Sequence, residues 1–132
     1  MHTLLIRRCY LLLSAAVLLV TALIYGIAPA AVLPRILEVA VTDRDLIHIF
    51  RAVMGLYLAL VVLWVIGAFV VRLMWTALLS EVVCMAGLAF GRFVSLLLDG
   101  WPSNFLISSL IVEVAMTVVG IILLGKLSNE VI

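Results

Sequence analysis

Charge is what this sequence has least of: 11% of its 132 residues are Asp, Glu, Lys or Arg, where a soluble domain carries about a quarter. The net charge is +1, with no basic run or patch, which excludes a surface built to track nucleic-acid phosphates. Cysteine and histidine are equally sparse, at two each. Cys9 and Cys84 stand alone in apolar stretches, so neither a disulfide scaffold nor a zinc site is expected, and both read as small apolar side chains. His2 lies at the chain end and His48 has no second histidine near it, which excludes paired haem ligation. A Gly-rich phosphate loop, an HExxH pair and a nucleophile elbow are all missing. Neither a metal nor a cofactor is expected.

What remains is apolar. Hydrophobic residues make up 68% of the chain and the mean hydropathy is +1.46. No soluble fold of this size hides so much apolar surface, so the solvent for most of the chain is lipid. Four runs reach the roughly 20 residues needed to cross a hydrocarbon core of about 30 Å. They cover residues 9–28, 48–70, 75–98 and 104–125 of a single integral membrane domain spanning 1–132. Each is too long and too continuously apolar for a barrel strand. The expected fold is all-α: a four-transmembrane-helix bundle of up-down topology.

The first run has features of a signal peptide, with Arg7-Arg8 before it and Ala28-Pro29-Ala30-Ala31 after it. Its apolar core of about 20 residues exceeds the usual 7–15 of a signal segment, which favours an uncleaved first span. Arg7, Arg8, Arg72 and Lys126 flank the spans on one side, against Arg35 and Arg44 diluted by Glu38, Asp43 and Asp45 on the other. That bias places both termini in the cytoplasm. About four residues join the second and third spans, which makes them antiparallel neighbours. Asp99-Gly100-Trp101-Pro102-Ser103 is a turn-rich link to the fourth span. The segment 29–47 holds Leu33, Ile36, Leu37 and Val39-Ala40, enough for a short helix in the membrane interface, and Asp43 or Asp45 can cap the second span. Trp75 and Trp101 sit where interfacial anchors belong, while Trp64 reads as an ordinary residue.

Four charges fall inside the spans: Arg51, Glu81, Arg92 and Glu113. Each costs at least about 2.5–3.5 kcal/mol at the bilayer centre, so each needs a reason. On the third span Glu81 and Arg92 lie within about 20° of each other, with Met85 and Leu88 between them and Ser95 and Asp99 continuing outward. Such a stripe belongs inside the bundle. A second stripe of small residues, Ser80, Cys84, Gly87 and Gly91, contains a GxxxG that lets another helix approach closely, within the chain or in a second copy. His48, Arg51 and Gly55 share a face of the second span, Ser109, Glu113, Met116 and Gly120 a face of the fourth, and Tyr10, Ser14, Thr21 and Tyr25 a side of the first. By depth, Asp45, His48, Arg51, Arg92, Ser95 and Asp99 converge at the outer end, with Glu113 below and Glu81 toward the cytoplasm. The expected pairing is Arg92 with Glu113 or Asp99, and Arg51 with the other.

The segment His48-Ile49-Phe50-Arg51-Ala52-Val53-Met54-Gly55-Leu56-Tyr57, the segment from Gly87-Leu88-Ala89-Phe90-Gly91-Arg92 through Ser95 and Asp99-Gly100-Trp101-Pro102-Ser103, and Glu113 together resemble a bacterial family of small four-helix membrane proteins. The plan is also similar to that of DoxX-like four-helix proteins. The resemblance implies a multi-pass protein of the bacterial inner membrane and names no reaction.

Several roles stay open. The charged pairs can simply hold the bundle together. They can line an outer-side polar pocket of His48, Arg51, Arg92, Ser95, Asp99 and Glu113 that binds a small amphiphile such as a lipid or quinone headgroup, in a non-enzymatic or accessory protein. The chain can be an oligomeric transporter or proton-coupled channel, with a relay through Glu113 and Glu81. It can also be a membrane enzyme with Glu113 as general base and Arg92 stabilising negative charge. The expected partners are the lipid bilayer, such an amphiphile, and a second copy or a partner membrane subunit.

Overall fold

The structure is a computed structural model that describes residues 2–131, with side chains described from 2 to 127. Among these the chain is all-helical, in the order α1 (His2–Gly26), α2 (Pro29–Ile36), α3 (Arg44–Phe69), α4 (Val71–Leu98) and α5 (Asn104–Val131). Four of them, α1, α3, α4 and α5, are long and apolar enough to cross a membrane. Large apolar side chains such as Val20, Leu56, Val83, Phe90, Leu97 and Ile111 stand exposed around the outside. An outward-facing surface of that kind is satisfied by hydrocarbon and not by water.

The helices alternate in direction, so the chain ends gather at one end of the bundle, the terminal end, and the two longer connections at the other, the loop end. The helix α1 packs along α3, α3 turns into α4, and α4 packs along α5. The last edge, between α5 and α1, closes only lightly. Seen from the end, the bundle is a C with its gap between α1 and α5.

Small residues set the closest approaches. A Cβ at Gly67 would overlap the Cβ of Ala77, so α3 and α4 meet where both helices are stripped to the backbone. That contact lets the hairpin turn on one extended residue, Val70 (φ −99°, ψ 99°), tighter than the four residues the hydropathy suggests. A Cβ at Gly26 would likewise run into Met54, where α1 crosses α3. Gly87 and Gly91 behave differently: both are exposed, and a Cβ on either would meet nothing within 4 Å. The expectation that their GxxxG seats a helix of the same chain is therefore corrected. Neither glycine is a point of close approach, although Gly91 borders a cavity that α4 shares with α5.

Connections follow local chemistry. Pro29 opens α2, where a missing N–H costs nothing, and Leu33 anchors that helix fully buried. Val39 and Ala40 lie beyond its end and are exposed. Asp43 caps α3 by accepting from the Asp45 N–H at 2.8 Å. Gly100 takes φ 88° in the α4–α5 link, a conformation that suits glycine. The core runs through Leu11, Leu18, Trp64, Met74, Leu78 and Met85, all at most 2% exposed. Trp64 donates its indole N–H to Ser80 Oγ at 3.1 Å, so that buried ring leaves no donor unpaired.

Candidate functional site

Three of the four intramembrane charges turn inward. Glu81 is 0% exposed and Glu113 6%, while Arg92 is half-buried. On α4, Glu81, Met85, Leu88 and Arg92 form one face, and this face forms the floor between α1 and α5. Arg92 Nε lies 2.9 Å from both Glu113 carboxylate oxygens, joining α4 to α5. A guanidinium and a carboxylate at that distance neutralise each other, which removes most of the cost of having either in lipid. Among the described residues the carboxylate takes the Arg92 Nε donor alone, and the Tyr25 hydroxyl is within reach of the same guanidinium. Tyr25 is itself held in an aromatic group, with Phe50 at 5.8 Å and Tyr57 at 6.3 Å between ring centroids.

Above the ion pair the open edge of the C becomes a cleft of about 430 Å³. One wall is α1, with Val17, Thr21 and Ile24, and the other is α5, with Phe105, Ser109 and Val112. Arg92, Glu113 and Tyr57 supply its polar floor beside Met85 and Leu88. Ala16 and Val20 on one rim and Ser108 and Val112 on the other are exposed, so the opening faces sideways, toward lipid. The hydroxyls on its walls are already committed as donors. Thr21 donates to the Val17 carbonyl at 3.0 Å, Ser108 to Asn104 at 2.9 Å and Ser109 to Phe105 at 3.0 Å. The Tyr57 hydroxyl makes no hydrogen bond among the described residues. Donors open to a guest are thus the Arg92 guanidinium and the Tyr57 hydroxyl.

The other expected site residues divide. Ser95 donates to Asp99 Oδ2 at 2.9 Å, and both line a second cavity of about 340 Å³, beside Arg92, Gly91 and Trp101. Ser95 and Asp99 are exposed there, at the loop end of the α4–α5 seam. His48 and Arg51 line neither cavity and stand exposed on α3. The expected pairing of Arg51 with Asp99 is not formed: among the described residues Arg51 makes no ion pair. Arg51 is exposed and points outward from its helix.

One polar layer lay outside the expected site. Below the cleft, toward the terminal end, Tyr10 and Ser14 of α1 close on Glu81. Gly120 of α5 passes directly over them: a Cβ there would come within 2.6 Å of the Tyr10 hydroxyl and 2.8 Å of Glu81 Oε2. The four-residue spacing of Tyr10 and Ser14 was the available signal.

Comparison with known proteins adds a family and no activity. No curated protein and no solved structure matches the chain. The family described as Domain of unknown function (DUF4345) matches residues 6–124, which takes in most of α1 through most of α5 and both buried glutamates, Glu81 and Glu113. By that match the chain belongs to the DUF4345 family, as a small four-span membrane protein of unknown activity.

Proposed function

We propose that this protein binds an uncharged, acceptor-bearing amphiphile in the cleft between α1 and α5. The observation that carries the reading is the cleft itself, about 430 Å³, walled by apolar side chains and floored by the Arg92–Glu113 pair. Its volume falls in the range of small-molecule sites, which are mostly apolar with a few convergent polar groups. Its sideways opening suits a guest that arrives from the bilayer, and the charge bias of the sequence makes that the outer leaflet. Because Glu113 already neutralises Arg92, a bare anion gains little there. The donors on offer, Arg92 and Tyr57, call for a guest with carbonyl or ester oxygens and a tail to lie along Val17, Ile24, Phe105 and Val112. Quinones and diacylglycerol-type lipids have that chemistry. Glu113 as a general base has less support, since both of its oxygens face the Arg92 N–H.

Native mass spectrometry of mildly extracted protein, with a short-chain benzoquinone and a diacylglycerol offered in turn, tests the reading. Val112 lines the rim of the cleft, so Val112→Trp is expected to fill it without removing either partner of the ion pair. The wild type is expected to retain one of the two probes, and Val112→Trp, folded as judged by its helicity, to lose it. Retention by neither chain, or equal retention by both, overturns the proposal.

A further inference from the structure

Glu81 is fully buried and plays no part in the cleft's chemistry. Its Oε2 lies 2.6 Å from the Tyr10 hydroxyl oxygen and its Oε1 3.3 Å from Ser14 Oγ. The same phenol oxygen is 2.6 Å from the Met116 carbonyl oxygen, and Ser14 Oγ is 3.0 Å from the carbonyl of Tyr10. Four oxygen–oxygen contacts therefore compete for very few hydrogens. A phenol and a serine hydroxyl carry one each, and a backbone carbonyl carries none.

With Glu81 as a carboxylate, two hydrogens must serve four contacts. Tyr10 then donates to Glu81 or to Met116, and the oxygen left out faces the phenol at 2.6 Å with lone pairs on both sides. That separation is the length of a strong O–H···O bond and too short for two bare acceptors. A hydrogen on Glu81 resolves the conflict. Glu81 Oε2–H donates to the phenol oxygen, Tyr10 donates onward to the Met116 carbonyl, and Ser14 donates to the Tyr10 carbonyl. The contact left without a hydrogen is the longest of the four, at 3.3 Å.

The packing around the pair is built for this arrangement. From α5 comes a bare backbone, because Gly120 is the position at which any side chain would strike Tyr10 and Glu81 Oε2. From α1 come two neutral hydroxyls, Tyr10 and Ser14, with the buried Arg7 one turn below Tyr10. On α4 itself Cys84 is the next titratable group, and Arg92 stands eleven residues away, about 16 Å along the helix axis.

We propose that Glu81 is a proton-binding site: a neutral carboxylic acid in the membrane core, with its proton at the head of a Glu81–Tyr10–Met116 hydrogen-bond chain. That chain runs from α4 through α1 to α5 and closes the C beneath the cleft. Removing the proton sets a carboxylate against two oxygens that have one hydrogen between them, so the proton is what holds this edge together.

Infrared difference spectroscopy of the reconstituted protein, wild type minus Glu81→Gln, reads the proton directly. An amide N–H donates to Tyr10 as the acid O–H does, so Glu81→Gln is expected to fold. The expected result is loss of the carbonyl stretch of a protonated, hydrogen-bonded carboxylic acid, with the carboxylate bands unchanged. Loss of a carboxylate band instead overturns the proposal. Should Glu81→Gln not fold, wild type and Tyr10→Phe labelled with ¹³C at the glutamate carboxyls carry the test. An isotope-shifted acid band that moves to higher frequency in Tyr10→Phe supports it. The lack of such a band, or one indifferent to the phenol, overturns it.

Discussion

Two glutamates are buried in this bundle, Glu81 at 0% and Glu113 at 6% exposure, and their surroundings differ at every point. Glu113 sits at the floor of a cleft open to lipid and is held by a cation, Arg92, from the neighbouring helix. Glu81 sits one layer below in a closed seam, hydrogen-bonded to the Tyr10 hydroxyl and packed against Ser14 and the Gly120 position of α5. One carboxyl is made tolerable in lipid by an opposite charge, the other by hydrogen bonding alone. An ion pair can stand beside empty space because its field reaches outward, whereas a hydrogen-bonded acid needs each neighbour in contact. The difference teaches where a guest fits and where nothing does.

The sharpest way to break the comparison is to take the cation from Glu113. Arg92→Ala leaves a buried carboxylate unpaired and is expected to destabilise the protein by about 3–5 kcal/mol, read by thermal unfolding in a mild detergent. Glu113→Ala added to it removes the orphan charge and should recover most of the loss. A double variant no more stable than Arg92→Ala would mean that Arg92 acts through the Tyr25 group, and the contrast between the two glutamates would lose its basis.

Next in size is a test of how closed the lower layer is. Gly120→Ala places a methyl 2.6 Å from both the Tyr10 hydroxyl and Val82 Cγ2, so α5 must shift or the hydrogen bonds must open. A loss of about 1–3 kcal/mol is expected, the usual cost of overpacking. The cleft should accept far more, since an indole at Val112 enters existing space. A seam that refuses one methyl beside a cleft that takes a tryptophan is the comparison in its strongest form. Equal tolerance at both positions would show that α5 is free to move along its whole length.

Much of this was legible from the residues, and the rest was hidden for a definite reason. Hydropathy shows the spans because lipid leaves few alternatives for a run of twenty apolar residues. Arg92 and Glu113 stand out because a charge in a span is costly enough to require a partner. Depth along a helix also reads from residue number for Arg51, Arg92 and Asp99, at about 1.5 Å per residue. Their direction around the helix axis does not read so directly. It depends on which helices are neighbours, and the C-shaped order with its gap between α1 and α5 has no local signature. Arg51 accordingly turned outward, and Glu81 proved to belong with Tyr10 and Ser14 of a helix 67 residues away from it in sequence. The glycines teach the same thing. Gly67 and Gly120 make the close approaches with no motif around them, while a Cβ on either glycine of the GxxxG at Gly87 and Gly91 would meet nothing within 4 Å.

Those glycines set the smallest expected effect. Gly87→Ala adds a methyl that meets no atom of the chain within 4 Å, and it replaces a poor helix former inside α4. By propensity alone the variant should gain up to about 1 kcal/mol. The same substitution at Gly67 drives a Cβ into Ala77 at the root of the α3–α4 hairpin, so its sign should be reversed. Thermal unfolding of both variants at low protein concentration makes the comparison, because the two changes are chemically identical and differ only in what faces them. A loss at Gly87 that grows with protein concentration would mean that a second copy lies against this face of α4. The exposed stripe would then be a surface between chains.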